Sequence, residues 1–151
     1  MESQDNKQYE EDLSLKLFIV LTRALQSIKK RVEEDIKSYG LNTTEFTVLE
    51  LLYNKGDQPI QKIGDKVLIA SSSITYVVDK LVNKNLITRR PCADDRRITY
   101  ASITPEGIEF MNGIFPSHRE RIQEICGGLD ADEKKALIEQ LKKLGYFAQS
   151  I

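Results

Sequence analysis

Between residues 89 and 100 the chain reads Arg-Arg-Pro-Cys-Ala-Asp-Asp-Arg-Arg-Ile-Thr-Tyr, crowding four arginines, two aspartates and one of its two cysteines into twelve residues. Guanidinium groups at this density suit phosphate oxygens and base edges, to which each can donate two parallel hydrogen bonds. Asp95 precedes Arg97 by two residues, close enough to hold that guanidinium in a fixed fork. From Lys80 to Arg97, six positive residues (Lys80, Lys84, Arg89, Arg90, Arg96, Arg97) stand against Asp94 and Asp95, a local +4 in a chain that nets −1. Upstream, Ser71, Ser72 and Ser73 form a run of small polar residues where a helix is expected to begin. There the free N–H groups and the positive dipole end favour a phosphate. Thr75, Tyr76 and Lys80 fall on the polar side of the same helix and are candidates for base-edge and phosphate contact.

Other chemistry is thinly represented. The chain has a single histidine, His118, and no nucleophile elbow, glycine-rich phosphate loop or metal-ligand spacing, so an enzyme, a metal site and a bound cofactor are all unexpected. Cys92 and Cys126 form no CxxC pair and no Cys/His cluster, which fits neither a disulfide framework nor a zinc site and suits a reducing cytosol. Positive charge beside a thiol favours the reactive thiolate, so Cys92, among four arginines, is a candidate redox residue. Cys126, at the end of an apolar stretch, reads as a small buried hydrophobe.

The elements that must carry these residues follow from periodicity. With 151 residues, 40% hydrophobic and 30% charged, one domain with a sizeable core is expected. The apolar stretch from Leu13 to Leu25 is broken by Ser14, Lys16, Thr22 and Arg23, so neither a signal peptide nor a membrane span is expected and the cytoplasm is the expected location. Leu17, Phe18, Leu21, Leu25, Ile28, Val32 and Ile36 keep helical spacing from about Leu13 to Lys37. Leu13, Leu15, Ile19, Val20 and Ala24 make the first half apolar all round, which requires cover by more than its own domain and points to a second chain. Gly40 ends this helix.

Asn42 with Glu45 three residues on is a capping box for a second helix through Phe46, Val48, Leu49 and Leu52. Pro59 suits the first turn of a short third helix, from Ile60 to about Val67. The fourth, from the serine run, buries Ile74, Val77, Val78 and Leu81, so the third and fourth helices make a helix-turn-helix. The alternating segments Leu-Ile-Thr-Arg-Arg-Pro and Arg-Ile-Thr-Tyr-Ala-Ser-Ile read as a β-hairpin. Thr104 and Pro105 start a helix that runs to about Cys126, and Asp130 with Glu133 caps a last amphipathic helix carrying Ala136, Leu137, Leu141 and Leu144. The fold class is therefore mainly α with a small β-hairpin wing. One chain, 1–151, holds a winged helix-turn-helix at 42–103, mounted on helices at 10–40 and 104–151.

The sequence Ile-Thr-Arg-Arg-Pro-Cys-Ala-Asp-Asp-Arg-Arg-Ile-Thr-Tyr-Ala-Ser-Ile-Thr-Pro-Glu-Gly resembles the wing signature of the MarR transcription factors. Asp95-Arg96-Arg97 matches the family's Asp-x-Arg element at the wing tip, and Ile103-Thr104-Pro105-Glu106-Gly107 its Leu/Ile-Thr-x-x-Gly element. The resemblance implies a homodimer with interlocked terminal helices that binds a palindromic double-stranded operator and represses transcription. It also implies an effector site where the first, second and fifth helices meet, which in this sequence points to Phe18, Phe46, Glu50 and His118.

Phe46 and Glu50 share a helix face, and Glu50, flanked by leucines, invites a partner such as His118. The alternative is that both phenylalanines are core, His118 lies on the surface and Glu50 is solvated. The segments around "LSLKLF" and "DIKSYGLN" resemble the quinone- and hydroquinone-responsive members, which implies a small aromatic effector. The peroxide-sensing members carry their cysteine near the start of the first helix, and this chain has none there. A thiol-based repressor acting through Cys92 and a winged-helix protein-interaction module remain the alternatives.

Overall fold

The computed structural model describes residues 2–67 and 71–151, and of Glu2, Ser71 and Ser72 the backbone alone. Helix α1 spans Glu2–Ser38, starting well before Leu13. Its polar first turns are held by pairs four residues apart, Gln8 to Asp12 at 3.1 Å and Lys7 to Glu11 at 3.9 Å, the spacing at which helix side chains meet. It ends as expected at Gly40, whose φ is +81°. Helix α2, Thr43–Lys55, opens on the predicted capping box: Glu45 N–H donates to Asn42 Oδ1 at 2.8 Å and Asn42 N–H to Glu45 Oε1 at 3.2 Å.

The short strand β1, Gln58–Pro59, precedes α3, Ile60–Val67. Helix α4 covers Ser71–Asn83, β2 Ile87–Pro91, β3 Thr99–Ile103, α5 Pro105–Ile125 and α6 Ala131–Ser150. The expected hairpin is β2 with β3, in register Arg89 opposite Ala101 and Arg90 opposite Tyr100. Pro59 corrects the sequence reading: it lies in β1, which adds an edge strand to the hairpin in the order β1-β3-β2, Pro59 opposite Tyr100. An edge is where a residue without an N–H fits a ladder.

The core lies within the winged part. Leu49, Val48, Leu52, Ile63, Val78, Leu81, Ile87 and Ala101 are fully buried, joined from α1 by Ile36 and from α5 by Met111. The junction of wing and α5 is drawn tight. Thr104 Oγ1 donates to the Asn85 carbonyl at 2.6 Å and accepts from Gly107 N–H at 2.9 Å, and a Cβ on Gly107 would collide with the Leu86 carbonyl and with Ile103. The glycine of the Ile-Thr-Pro-Glu-Gly element is thus required by close approach of two backbones.

Outside this core the chain leaves apolar surface uncovered. Leu13, Leu15, Leu17, Phe18, Ile19 and Val20 on α1 are exposed, as are Leu137, Ile138, Leu141, Leu144 and Phe147 on α6, which buries no residue. Among the described residues, no helix is long and apolar enough to cross a membrane.

Candidate nucleic-acid interface and ligand cleft

Helix α4 presents one face to the core through Ile74, Val77, Val78 and Leu81, which leaves Thr75, Tyr76 and Lys80 exposed, with the Lys80 ammonium 5.3 Å from the Tyr76 ring. Ser73 is exposed beside them, whereas the side chains of Ser71 and Ser72, and residues 68–70, lie outside the described residues. The wing is pinned to the rest by its arginines. Arg89 pairs with Asp79 of α4. Arg90 pairs with Asp57 at 3.1 Å and sits 4.8 Å over the Tyr100 ring.

At the wing tip Asp95 accepts three hydrogen bonds from Arg97, from its backbone N–H at 3.0 Å and from Nε and Nη2 at 3.1 Å each. Those bonds, side chain first, hold the Asp95 carboxyl below the usual carboxylate range. The fork expected from the two-residue spacing is present, while the Arg97 side chain stays 91% exposed. Gln61 of α3 donates to the Arg97 carbonyl at 3.2 Å, tying the wing tip to the helix-turn-helix.

Two expectations about charge are corrected. Lys84 is exposed but its charge is engaged: its ammonium bonds Glu45 at 2.8 Å and the Gly40 carbonyl at 3.2 Å. Glu45, Asp57 and Asp79, all outside the segment counted in the sequence, face three of its six cations. Among the described residues Lys80 and Arg96 have no carboxylate partner, and Arg97, though paired with Asp95, stays 91% exposed.

The second candidate site is built from α1, α2 and α5. The His118 ring packs 4.6 Å from the Phe46 ring and 6.0 Å from that of Phe115, itself 5.9 Å from Tyr53. Both His118 and Phe46 are more than nine-tenths buried, so His118 is not a surface residue. The ring forms part of the wall of an open cleft of about 780 Å³, lined also by Glu50, Phe115, Arg119, Cys126 and Lys134. Cys126 is half-buried at that wall, not within the core.

The partner of His118 is Asp35, not Glu50. His118 Nδ1 is 2.8 Å from Asp35 Oδ2, with the two side chains 10% and 9% exposed. Tyr39 completes the group, its hydroxyl donating to Asp35 Oδ1 at 2.9 Å. Burial, with the carboxylate beside it, pushes the Tyr39 phenol up to about 12. Sequence reasoning missed Asp35 and Tyr39, although Asp35 falls beside Val32 and Ile36 on the side of α1 that meets the core. A charged residue on a buried stripe is the signal that points to a partner.

Phe18 does not join this group in one chain. It is 68% exposed and borders a separate hollow with Lys7, Glu11 and Leu15. Cys92 is half-buried in the wing loop, its N–H donating to the Ile98 carbonyl at 3.0 Å. Among the described residues, no three His, Cys, Asp or Glu side chains are placed to hold a metal ion.

Comparison with known proteins agrees with this layout. The MarR family model matches residues 41–99. The chain is 54% identical to the HTH-type transcriptional regulator MhqR of Bacillus subtilis over 90% of its own length and 94% of that protein's. Among solved structures, AbsC, a MarR family transcriptional regulator from Streptomyces coelicolor, superposes with a TM-score of 0.81 at 18% identity, covering 91% of this chain and 95% of AbsC. Bordetella bronchiseptica BpsR, whose DNA binding is regulated by 6-hydroxynicotinic acid, matches with a TM-score of 0.76 at 23% identity over 86% of this chain and 98% of its own.

Proposed function

Because the chain belongs to the MarR family of DNA-binding transcriptional regulators, we propose that it is a dimeric repressor of an inverted-repeat operator, released when a small aromatic molecule, phenolic or quinone-like, enters the cleft at His118. The observation that carries the effector reading is the His118 ring, backed by Phe46 and Phe115 at the wall of an open cleft. Few polar groups on an aromatic wall are what a small ring needs for orientation. BpsR supplies a case of this fold in which a hydroxylated aromatic ring bears on DNA binding.

In the DNA-bound dimer each α4 enters a major groove with Ser71, Ser72, Ser73, Thr75, Tyr76 and Lys80, and each wing reaches the adjacent minor groove with Arg96 and Arg97. Arg89 and Arg90 fix the wing's position through Asp79 and Asp57, and Asp95 orients Arg97. The exposed apolar faces of α1 and α6 cover one another across the two-fold axis. Phe18 belongs to the effector reading only as a residue delivered across that interface. A ligand releases DNA only if it binds more tightly to the dimer whose two α4 helices are wrongly spaced for the operator.

The test is an operator-release titration with a panel of phenols and quinones on the parent, His118→Ala and Cys92→Ser. The reading expects His118→Ala to bind operator and lose release, while Cys92→Ser still releases. Loss of release in Cys92→Ser alone makes the thiol the sensor and removes the cleft from the mechanism.

A further inference from the structure

Asp35 uses both carboxylate oxygens as acceptors, Oδ1 from the Tyr39 hydroxyl at 2.9 Å and Oδ2 toward His118 Nδ1 at 2.8 Å. An ionised carboxylate has no proton to give, so Nδ1 must be the ring nitrogen that carries one. The other nitrogen, Nε2, has no hydrogen-bond partner among the described residues, and His118 stands in the cleft wall. An uncharged imidazole with its proton on Nδ1 presents a bare lone pair at Nε2.

We propose that Asp35 is a positioning residue that, by fixing the tautomer of His118, makes the cleft select an aromatic ring bearing a hydroxyl donor. This rests on the cleft being the effector site. An aromatic O–H donates to Nε2 and satisfies it. An aryl ether or a quinone carbonyl brings acceptors alone, and two acceptors facing each other leave both unpaired. Sites built around one hydrogen bond reject the analogue that lacks it far more strongly than apolar pockets reject a change of size.

The line of bonds runs from Tyr39 and Asp35 at the end of α1 through His118 of α5 to the ligand. Asparagine is the informative replacement. In Asp35→Asn, with Tyr39 still donating to the side-chain oxygen, the new amide turns its N–H toward Nδ1, so the histidine proton moves to Nε2. The cleft then offers a donor, and the preference for a hydroxyl is lost.

The chain has one histidine, so a long-range proton–nitrogen correlation spectrum of the full-length protein contains one imidazole pair. At a pH where the ring is uncharged, the proposal expects the proton on Nδ1 in the parent and on Nε2 in Asp35→Asn. Calorimetric titration with p-cresol and with its methyl ether then reads the selection. The parent should bind the phenol at least about tenfold more tightly than the ether, and Asp35→Asn should narrow or reverse that ratio.

A proton on Nε2 in the parent overturns the proposal without any ligand. Equal affinities for the two probes, unchanged in Asp35→Asn, overturn the role of Asp35 and leave the cleft reading standing. If neither probe binds a parent protein that still binds operator, the cleft reading falls and this proposal with it.

Discussion

Arg97 and Arg90 show two uses of one side chain. Arg90 is held between Asp57 and the Tyr100 ring and braces the wing, whereas Arg97 is braced by Asp95 and left exposed. Arg97→Ala should weaken operator binding by about 1–3 kcal/mol, the worth of a well-placed groove contact, with circular dichroism unchanged. Retained affinity in a gel-shift series would remove the wing tip from DNA contact. Tyr39 makes a prediction about pH. Its ordinary value is 10.0 and in the folded chain it rises to about 12, so the neutral phenol favours the folded state. That contribution is complete below pH 10.0 and is lost as pH climbs through about 12. Melting temperature should therefore drop more across this window in the parent than in Tyr39→Phe, and parallel curves would contradict the burial of the phenol beside Asp35. The Asp95–Arg97 fork was legible in the sequence because its partners are two residues apart. The His118–Asp35 pair was not, since 83 residues separate its members and only the packing of α1 on α5 brings them together.

Among the elements, helix starts with a side-chain cap were the most legible features, whereas α1, with no cap to mark it, begins at Glu2 and not at Leu13. Asn42 with Glu45, Thr104 with Pro105, and Asp130 with Glu133 all cap where local rules place them, because a cap is satisfied within four residues. Strand β1 was illegible for the opposite reason. Two residues, Gln58 and Pro59, have no period of their own, and their strand character exists only opposite Ala101 and Tyr100. The joint between wing and α5 is the element most sensitive to a single methyl group. Gly107→Ala pushes a Cβ into the Leu86 carbonyl and Ile103, and overpacking of this kind costs about 1–3 kcal/mol. Denaturant unfolding should show a lowered midpoint. A midpoint equal to the parent's would mean that α5 is not seated against Leu86.

For the whole molecule, the apolar residues around α1 and along α6 exceed what one chain covers. The sequence announced this in the residues that surround the first helix, but it carried no sign of which face would meet which. Leu141→Asp places a charge on the exposed apolar face of α6; it should yield a monomer in sedimentation velocity and lose operator binding together with it. An intact dimer would put the interface elsewhere. The proposed function gives one molecule two linked sites, the α4 and wing surface for DNA and the His118 cleft for an aromatic ring. Linkage is reciprocal, so any factor by which the ligand weakens operator binding must be returned when DNA is present. The most direct measurement is calorimetric titration of a releasing phenol into the free protein and into the protein saturated with operator duplex. Weaker ligand binding to the DNA-bound form, by the same factor that the phenol reduces operator affinity, is the predicted result. Equal ligand affinity in the two forms would contradict it.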